Sequence, residues 1–213
     1  MKKLNFVLYL ALIIFSINNS EAKGNNFPYS VGPFITLKGG VNAASVPTGI
    51  KNGFTINSLP DIGASGYIPL TDKSQFGIAA DLAYSTYAYD NKQANNESNK
   101  WTIQVSYLTL NPNLFIYGFS IGLNFGIPLS GTTKSSNSST NINTSDLSAL
   151  VEFRVGGIIP LYYDDFGRLN LVVQFGYFLT GQYSQNYPSG SSSYNPHPAS
   201  GAVGVSYLFN LPE

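Results

Sequence analysis

The chain has 213 residues, with eleven basic and eleven acidic side chains, one histidine and no cysteine. Charged residues are only 10% of it, against about a quarter in soluble domains, while aromatics reach 14%. These values exclude a basic face for nucleic acid, a disulfide framework and thiolate chemistry, and they argue against an ordinary soluble enzyme.

The N-terminus reads as a cleaved export signal. Met1-Lys2-Lys3 is basic, and Leu4 to Ile17 is apolar apart from Asn5 and Ser16. Ser20 and Ala22 then supply small residues where a signal peptidase reads, so cleavage is expected after Ala22. An apolar run this short is poorly suited to a spanning helix. With no cysteine to follow, a lipoprotein anchor is excluded. Residues 23–213 then carry nine basic and ten acidic groups. They divide into an extended lead, 23–31, and one domain, 32–213.

That domain is a series of alternations with a period of two, the mark of strands with one apolar and one polar or small face. The first predicted strand, Gly32 to Asn42, sets Ile35, Leu37 and Val41 against Phe34, Thr36, Lys38 and Asn42. The second, Ser58 to Ile68, sets Ile62, Ala64 and Ile68 against Asp61, Gly63, Ser65 and Tyr67. The third, Phe76 to Tyr89, alternates Phe76, Ile78, Ala80, Leu82 and Tyr84 with Gly77, Ala79, Asp81, Ala83 and Ser85.

The fourth begins at Trp101, with Ile103, Val105 and Tyr107 opposite Thr102, Gln104 and Ser106. Its apolar phase switches at Tyr107-Leu108, where Leu108, Leu110 and Leu114 take over. A one-residue bulge would explain the switch, and so would a shorter strand entering a turn at Asn111-Pro112-Asn113. The fifth, Phe119 to Leu129, is unbroken: Phe119, Ile121, Leu123, Phe125, Ile127 and Leu129 alternate with Ser120, Gly122, Asn124, Gly126 and Pro128.

The sixth, Ser145 to Ile159, sets Leu147, Ala149, Val151, Phe153 and Val155 against Asp146, Ser148, Glu152, Arg154 and Gly156. The seventh alternates Leu169, Leu171, Val173, Phe175, Tyr177 and Leu179 with Arg168, Asn170, Val172, Gln174, Gly176 and Phe178. The eighth sets Val203, Val205, Tyr207, Phe209 and Leu211 against Ala202, Gly204, Ser206 and Asn210.

Connections alternate between long and short. Ala43–Asn57, Asp90–Lys100, Gly131–Thr144 and Ser184–Pro198 are long and rich in Asn, Ser and Thr. Pro69–Gln75, the region of Ile116-Tyr117-Gly118, and Pro160–Gly167 are short. Behind an export signal, this order predicts an all-β, eight-stranded antiparallel up-and-down transmembrane β-barrel. Its apolar face meets lipid, its elaborate rim faces outward from the cell, and both termini are periplasmic. Tyr84, Tyr87, Tyr89 and Trp101 near one rim, and Tyr117, Phe119, Tyr207 and Phe209 near the other, are expected to form interface girdles. A soluble lipocalin-like barrel with the apolar face inward is the structural rival.

The polar face carries Lys38, Asp81, Gln104, Glu152, Arg154, Arg168 and Gln174. Glu152 and Arg154 are two apart, so they share a face and can pair. An eight-stranded barrel is just wide enough for side chains to fill, so these residues are expected to form a paired polar plug. The competing reading is a selectivity or proton-linked site. His197 lies in a Pro-flanked loop, with no second histidine or cysteine to make a metal site or catalytic triad with it. No cofactor, metal or catalytic residue is expected.

The segments Tyr107-Leu108-Thr109-Leu110-Asn111-Pro112, Gly118-Phe119-Ser120-Ile121-Gly122-Leu123 and Gly204-Val205-Ser206-Tyr207-Leu208-Phe209 carry a family resemblance. The chain resembles small outer-membrane barrels of OmpA/OmpX type, and more narrowly the PorT-like barrel domains. It departs from their pattern in having Thr109 where a Glu is usual and in ending Leu211-Pro212-Glu213 instead of on an aromatic. The resemblance implies fold and an outer-membrane location. Expected partners are outer-membrane lipid, the barrel-assembly machinery and an unidentified extracellular ligand, with no nucleic acid. The expected role is structural or surface-binding; a narrow conduit for small or hydrophobic solutes is the alternative.

Overall fold

The computed structural model describes residues 29–71, 76–184 and 194–211. The predicted export signal, 1–22, and most of the predicted lead lie outside the described residues. Eleven strands follow in order: β1 (Ser30–Asn42), β2 (Ile50–Gly53), β3 (Thr55–Ile56), β4 (Asp61–Pro69), β5 (Phe76–Gln93), β6 (Asn96–Ile116), β7 (Phe119–Ser135), β8 (Ser139–Ile142), β9 (Leu150–Tyr163), β10 (Gly167–Phe178) and β11 (Pro198–Asn210). A 3-10 turn, Thr144–Asp146, precedes β9.

Eight of these strands form a closed ring, β1-β4-β5-β6-β7-β9-β10-β11, and β11 pairs back onto β1 through Ile35↔Val205 and Lys38↔Ala202. Every neighbouring pair is antiparallel. Closure removes the unpaired edges that an open sheet would expose. The ring strands are the eight strands the alternation predicts.

Alternation also fixes the faces. Leu37, Ile62, Leu82, Leu110, Leu123, Phe153, Phe175 and Val205 stand exposed on the outer wall, one on each ring strand. Thr36, Asp61, Asp81, Asn111, Asn124, Glu152, Asn170 and Ser206 are buried inside on the same strands. The barrel is therefore apolar outside and polar within, the reverse of a soluble barrel.

Several local expectations are corrected. The strand predicted from Trp101 has no phase switch and no turn at Asn111-Pro112-Asn113: β6 runs straight through to Ile116, with its odd-numbered residues inward from Trp101 onward. What changes is the chemistry of the interior. Ile103, Val105 and Tyr107 face an apolar layer near the long-loop rim, while Thr109, Asn111 and Asn113 face a polar one. The register shift lies on the neighbour, where β7 inserts Leu129 between the partners of Ser106 and Tyr107.

Tyr87, Tyr89 and Trp101 are not girdle residues. Tyr87 and Tyr89 are buried in that apolar layer and Trp101 packs against it, since each has the inward parity of its strand. Leu147 also turns inward, because Thr144–Asp146 is a 3-10 turn and not the start of a strand. The loops predicted at Asp90–Lys100 and Gly131–Thr144 are largely strand. β5 and β6 extend to a two-residue turn, and β7 pairs with β8 as a hairpin.

At the opposite rim, β6 and β7 are joined by Tyr117 and Gly118, both with positive φ (49° and 86°). Positive φ at both central residues makes the hairpin turn whose twist matches the strands, and glycine accepts it freely while tyrosine does not. Tyr117 is 62% exposed, so packing does not hold it there. Tyr117→Asn is expected to stabilise the barrel by up to about 1 kcal/mol, read as a higher urea midpoint in detergent micelles.

Candidate functional site

The interior is layered along the barrel axis. Nearest the short-turn rim, Tyr67 and Phe115 meet edge to face at 5.5 Å, packed with Leu208 and Ala79. Arg168 lies over the Tyr67 ring, 4.8 Å from its centre, and donates to Ser30 Oγ at 3.3 Å. At the long-loop end, Tyr87, Tyr107 and Phe178 form an edge-to-face trio with centroids 4.7–6.2 Å apart. Leu147, Leu150 and Tyr183 complete that layer.

Between these two apolar layers lies a network of charges. Lys38 Nζ is 2.5 Å from Asp61 Oδ2 and donates to Ser85 Oγ at 2.6 Å. Ser85 Oγ and the Thr86 amide both donate to Asp61. The ammonium also sits 3.7 Å over the ring of Tyr87, a cation–π contact out of water.

Tyr87 links this pair to a second. Its hydroxyl donates to Glu152 Oε2 at 2.6 Å and accepts from Arg154 Nη2 at 2.9 Å. Arg154 reaches the same carboxylate from Nη2 at 2.8 Å and from Nε at 3.2 Å. Asn124 and Ser200 donate to Glu152 as well. The carboxylate therefore exchanges its water shell for five protein donor groups, which is what permits a fully buried charge. Gly176 on β10 makes room for it: a Cβ there would fall 1.8 Å from Glu152 Oε1.

Asp81 is held differently, by hydroxyl and amide donors alone. Ser65 Oγ donates at 2.6 Å and Asn111 Nδ2 at 3.1 Å. Gln174 accepts weakly from Arg154 at 3.5 Å.

Lys38, Asp81, Glu152, Arg154, Arg168 and Gln174 thus all face the interior, and three of them share one network around Tyr87. Gln104 does not belong with them. Because β6 keeps its phase, Gln104 points outward and accepts a hydrogen bond from Ser58 at 2.8 Å. The sequence reading also missed Asp61, Ser85, Asn124 and above all Tyr87 as members. Each has the inward parity of its strand, which was the available signal; Tyr87 was masked by its aromatic character. His197 braces the rim: its ring stacks on Tyr177 and its Nδ1 lies 3.0 Å from the Phe178 carbonyl oxygen.

Above the ring, β2, β5, β6, β7 and β8 continue as a projecting sheet. Between its hairpin tips is an open groove lined by Asn96, Ser98, Asn99, Ser135, Ser136 and Asn137, all uncharged. Lys51 and Glu97 pair across this sheet at 2.9 Å, and the hydrogen bond from Lys51 holds the Glu97 carboxyl below its usual range.

No family model matches the chain, and no curated protein matches it in sequence. Among solved structures it is similar to Ail, the attachment invasion locus protein of Yersinia pestis, at 10% identity and a TM-score of 0.41, covering 85% of this chain and 97% of that one. Neisserial surface protein A is similar at 10% identity and a TM-score of 0.42, covering 86% and 97%. The outer membrane protein OprG of Pseudomonas aeruginosa gives 12% identity and 0.32, covering 88% and 100%. At such identities the likeness is one of fold alone. The ring of strand pairs itself makes the chain an eight-stranded antiparallel up-and-down β-barrel, the architecture of small outer-membrane barrels.

Proposed function

We propose that the chain is a non-enzymatic integral outer-membrane protein that passes no solute and acts through its projecting rim. One observation carries this reading: an apolar outer wall on all eight ring strands encloses an interior closed by paired charges between two aromatic layers. On β7 the wall runs from Phe119 to Leu129. At about 3.3 Å per residue and a tilt near 40°, that spans roughly 25 Å, the height of a lipid-facing band. A solute would have to break Lys38–Asp61 or Glu152–Arg154 to pass. What remains for contact outside is the Asn- and Ser-rich rim.

Purified protein refolded into vesicles should run faster on a gel before boiling than after, and should give no conductance steps in a planar bilayer. Recovery only as a soluble periplasmic protein would refute the membrane assignment. Discrete conductance would favour the conduit reading instead.

A further inference from the structure

Nine cations remain once the export signal is set aside. Three of them, Lys38, Arg154 and Arg168, are inside the barrel. Four more, Lys51, Lys92, Lys100 and Lys134, lie on the projecting sheet. Their placement is specific: Lys51 pairs with Lys92 across β2 and β5, and Lys92 pairs with Lys100 across β5 and β6. Residues directly opposite share a face, so three like charges stand in one cross-strand row, an arrangement that costs stability. Lys134, opposite Thr102 on β7, extends the same face.

Among the described residues, these lysines form ion pairs only with Glu97 and Asp90, which leaves Lys92 and Lys134 without one. The Lys92 stem crosses Gly53, whose missing side chain clears its path.

The face is the outward one. Lys92 and Lys100 have the same parity as Leu82, Tyr84, Leu108 and Leu110 on the outer wall. Eight residues separate Tyr84 from Lys92, so the row stands on the order of 20 Å above the apolar belt. An ordinary phospholipid headgroup layer adds only about 5–8 Å on each side. Between belt and row, Phe54 and Ile56 are 63% and 68% exposed and continue the apolar wall upward from Leu37. The Phe54 ring lies over Gly39, and Ile56 pairs with the same residue.

We infer that this strip docks a phosphate-bearing glycolipid of the outer leaflet, a reading that rests on the outer-membrane assignment above. Phe54 and Ile56 meet its apolar part. Lys51, Lys92 and Lys100 meet phosphates on an extended saccharide, the part of a lipid that reaches so far from the membrane. The positive charge that Glu97 and Asp90 leave on the row, centred on Lys92, is then neutralised by its ligand.

The test uses the full-length barrel in vesicles, with insertion verified by the gel shift. Purified lipopolysaccharide with a phosphorylated core is titrated and binding is read by isothermal titration calorimetry. The triple variant Lys51→Gln/Lys92→Gln/Lys100→Gln should bind about tenfold or more weakly. Wild-type protein should lose a similar factor toward dephosphorylated lipopolysaccharide, an arm that needs no variant to fold. Equal affinity for the dephosphorylated lipid, or for phosphatidylglycerol vesicles, would overturn the inference while leaving the barrel assignment intact. Failure of the wild-type chain to insert would instead overturn the outer-membrane reading beneath it.

Discussion

Glu152→Gln is expected to destabilise the barrel by about 3–5 kcal/mol, the range seen when one partner of a buried ion pair is removed. The carboxylate is fully buried and receives donors from Arg154, Tyr87, Asn124 and Ser200. A neutral amide of the same shape keeps the volume but leaves the Arg154 guanidinium buried without its counter-charge. The amide also brings an NH₂ group into a ring of donors. Glu152→Gln/Arg154→Met removes both charges and should recover much of the loss, since replacing a whole buried pair by apolar groups is often close to neutral. Urea titrations in detergent micelles, followed by Trp101 fluorescence and by gel mobility, separate the two variants. A single variant no weaker than the double one would mean that water already solvates this carboxylate, and the lumen would not be plugged.

Leu123→Arg should cost about 2–4 kcal/mol, the penalty for arginine on the lipid face near the midplane of a barrel. Leu123 lies midway along the outward face of β7 and is 39% exposed. Leu129→Arg, at the long-loop end of the same row, should cost about 0–1 kcal/mol, because the side chain there can reach headgroups and water. The gradient is the informative quantity. In a soluble barrel an arginine at Leu123 would be neutral, or would help solubility. Refolding yield into vesicles and urea midpoints for the two variants measure the difference.

Much of this architecture was legible in the sequence because a strand's side-chain period is two. Ile121, Leu123 and Phe125 could not share a face with Gly122 and Asn124, so the wall of β7 was readable residue by residue. Glu152 and Arg154 could be paired by the same reasoning. For Tyr87 and Gln104 parity, not side-chain chemistry, decides the face, whereas Leu147 leaves the parity of its strand because the 3-10 turn Thr144–Asp146 interrupts the alternation before β9. Near the long-loop rim the interior is itself apolar, so Ile103, Val105 and Tyr107 face inward where an apolar residue was expected outside.

The order of elements, the ring of eight strands and the direction of most side chains follow from local alternation and from where the chain turns. Local alternation has no information about which inward residues meet. Tyr87 on β5, Asn124 on β7, and Glu152 and Arg154 on β9 converge only because the ring closes and brings distant strands to a common axis. The same holds outside. Three lysines far apart in sequence become a row only when β2 lies against β5 and β5 against β6. Register between strands is a property of the assembled sheet, and it decided which charges are neutralised inside and which stand in line on the outer face.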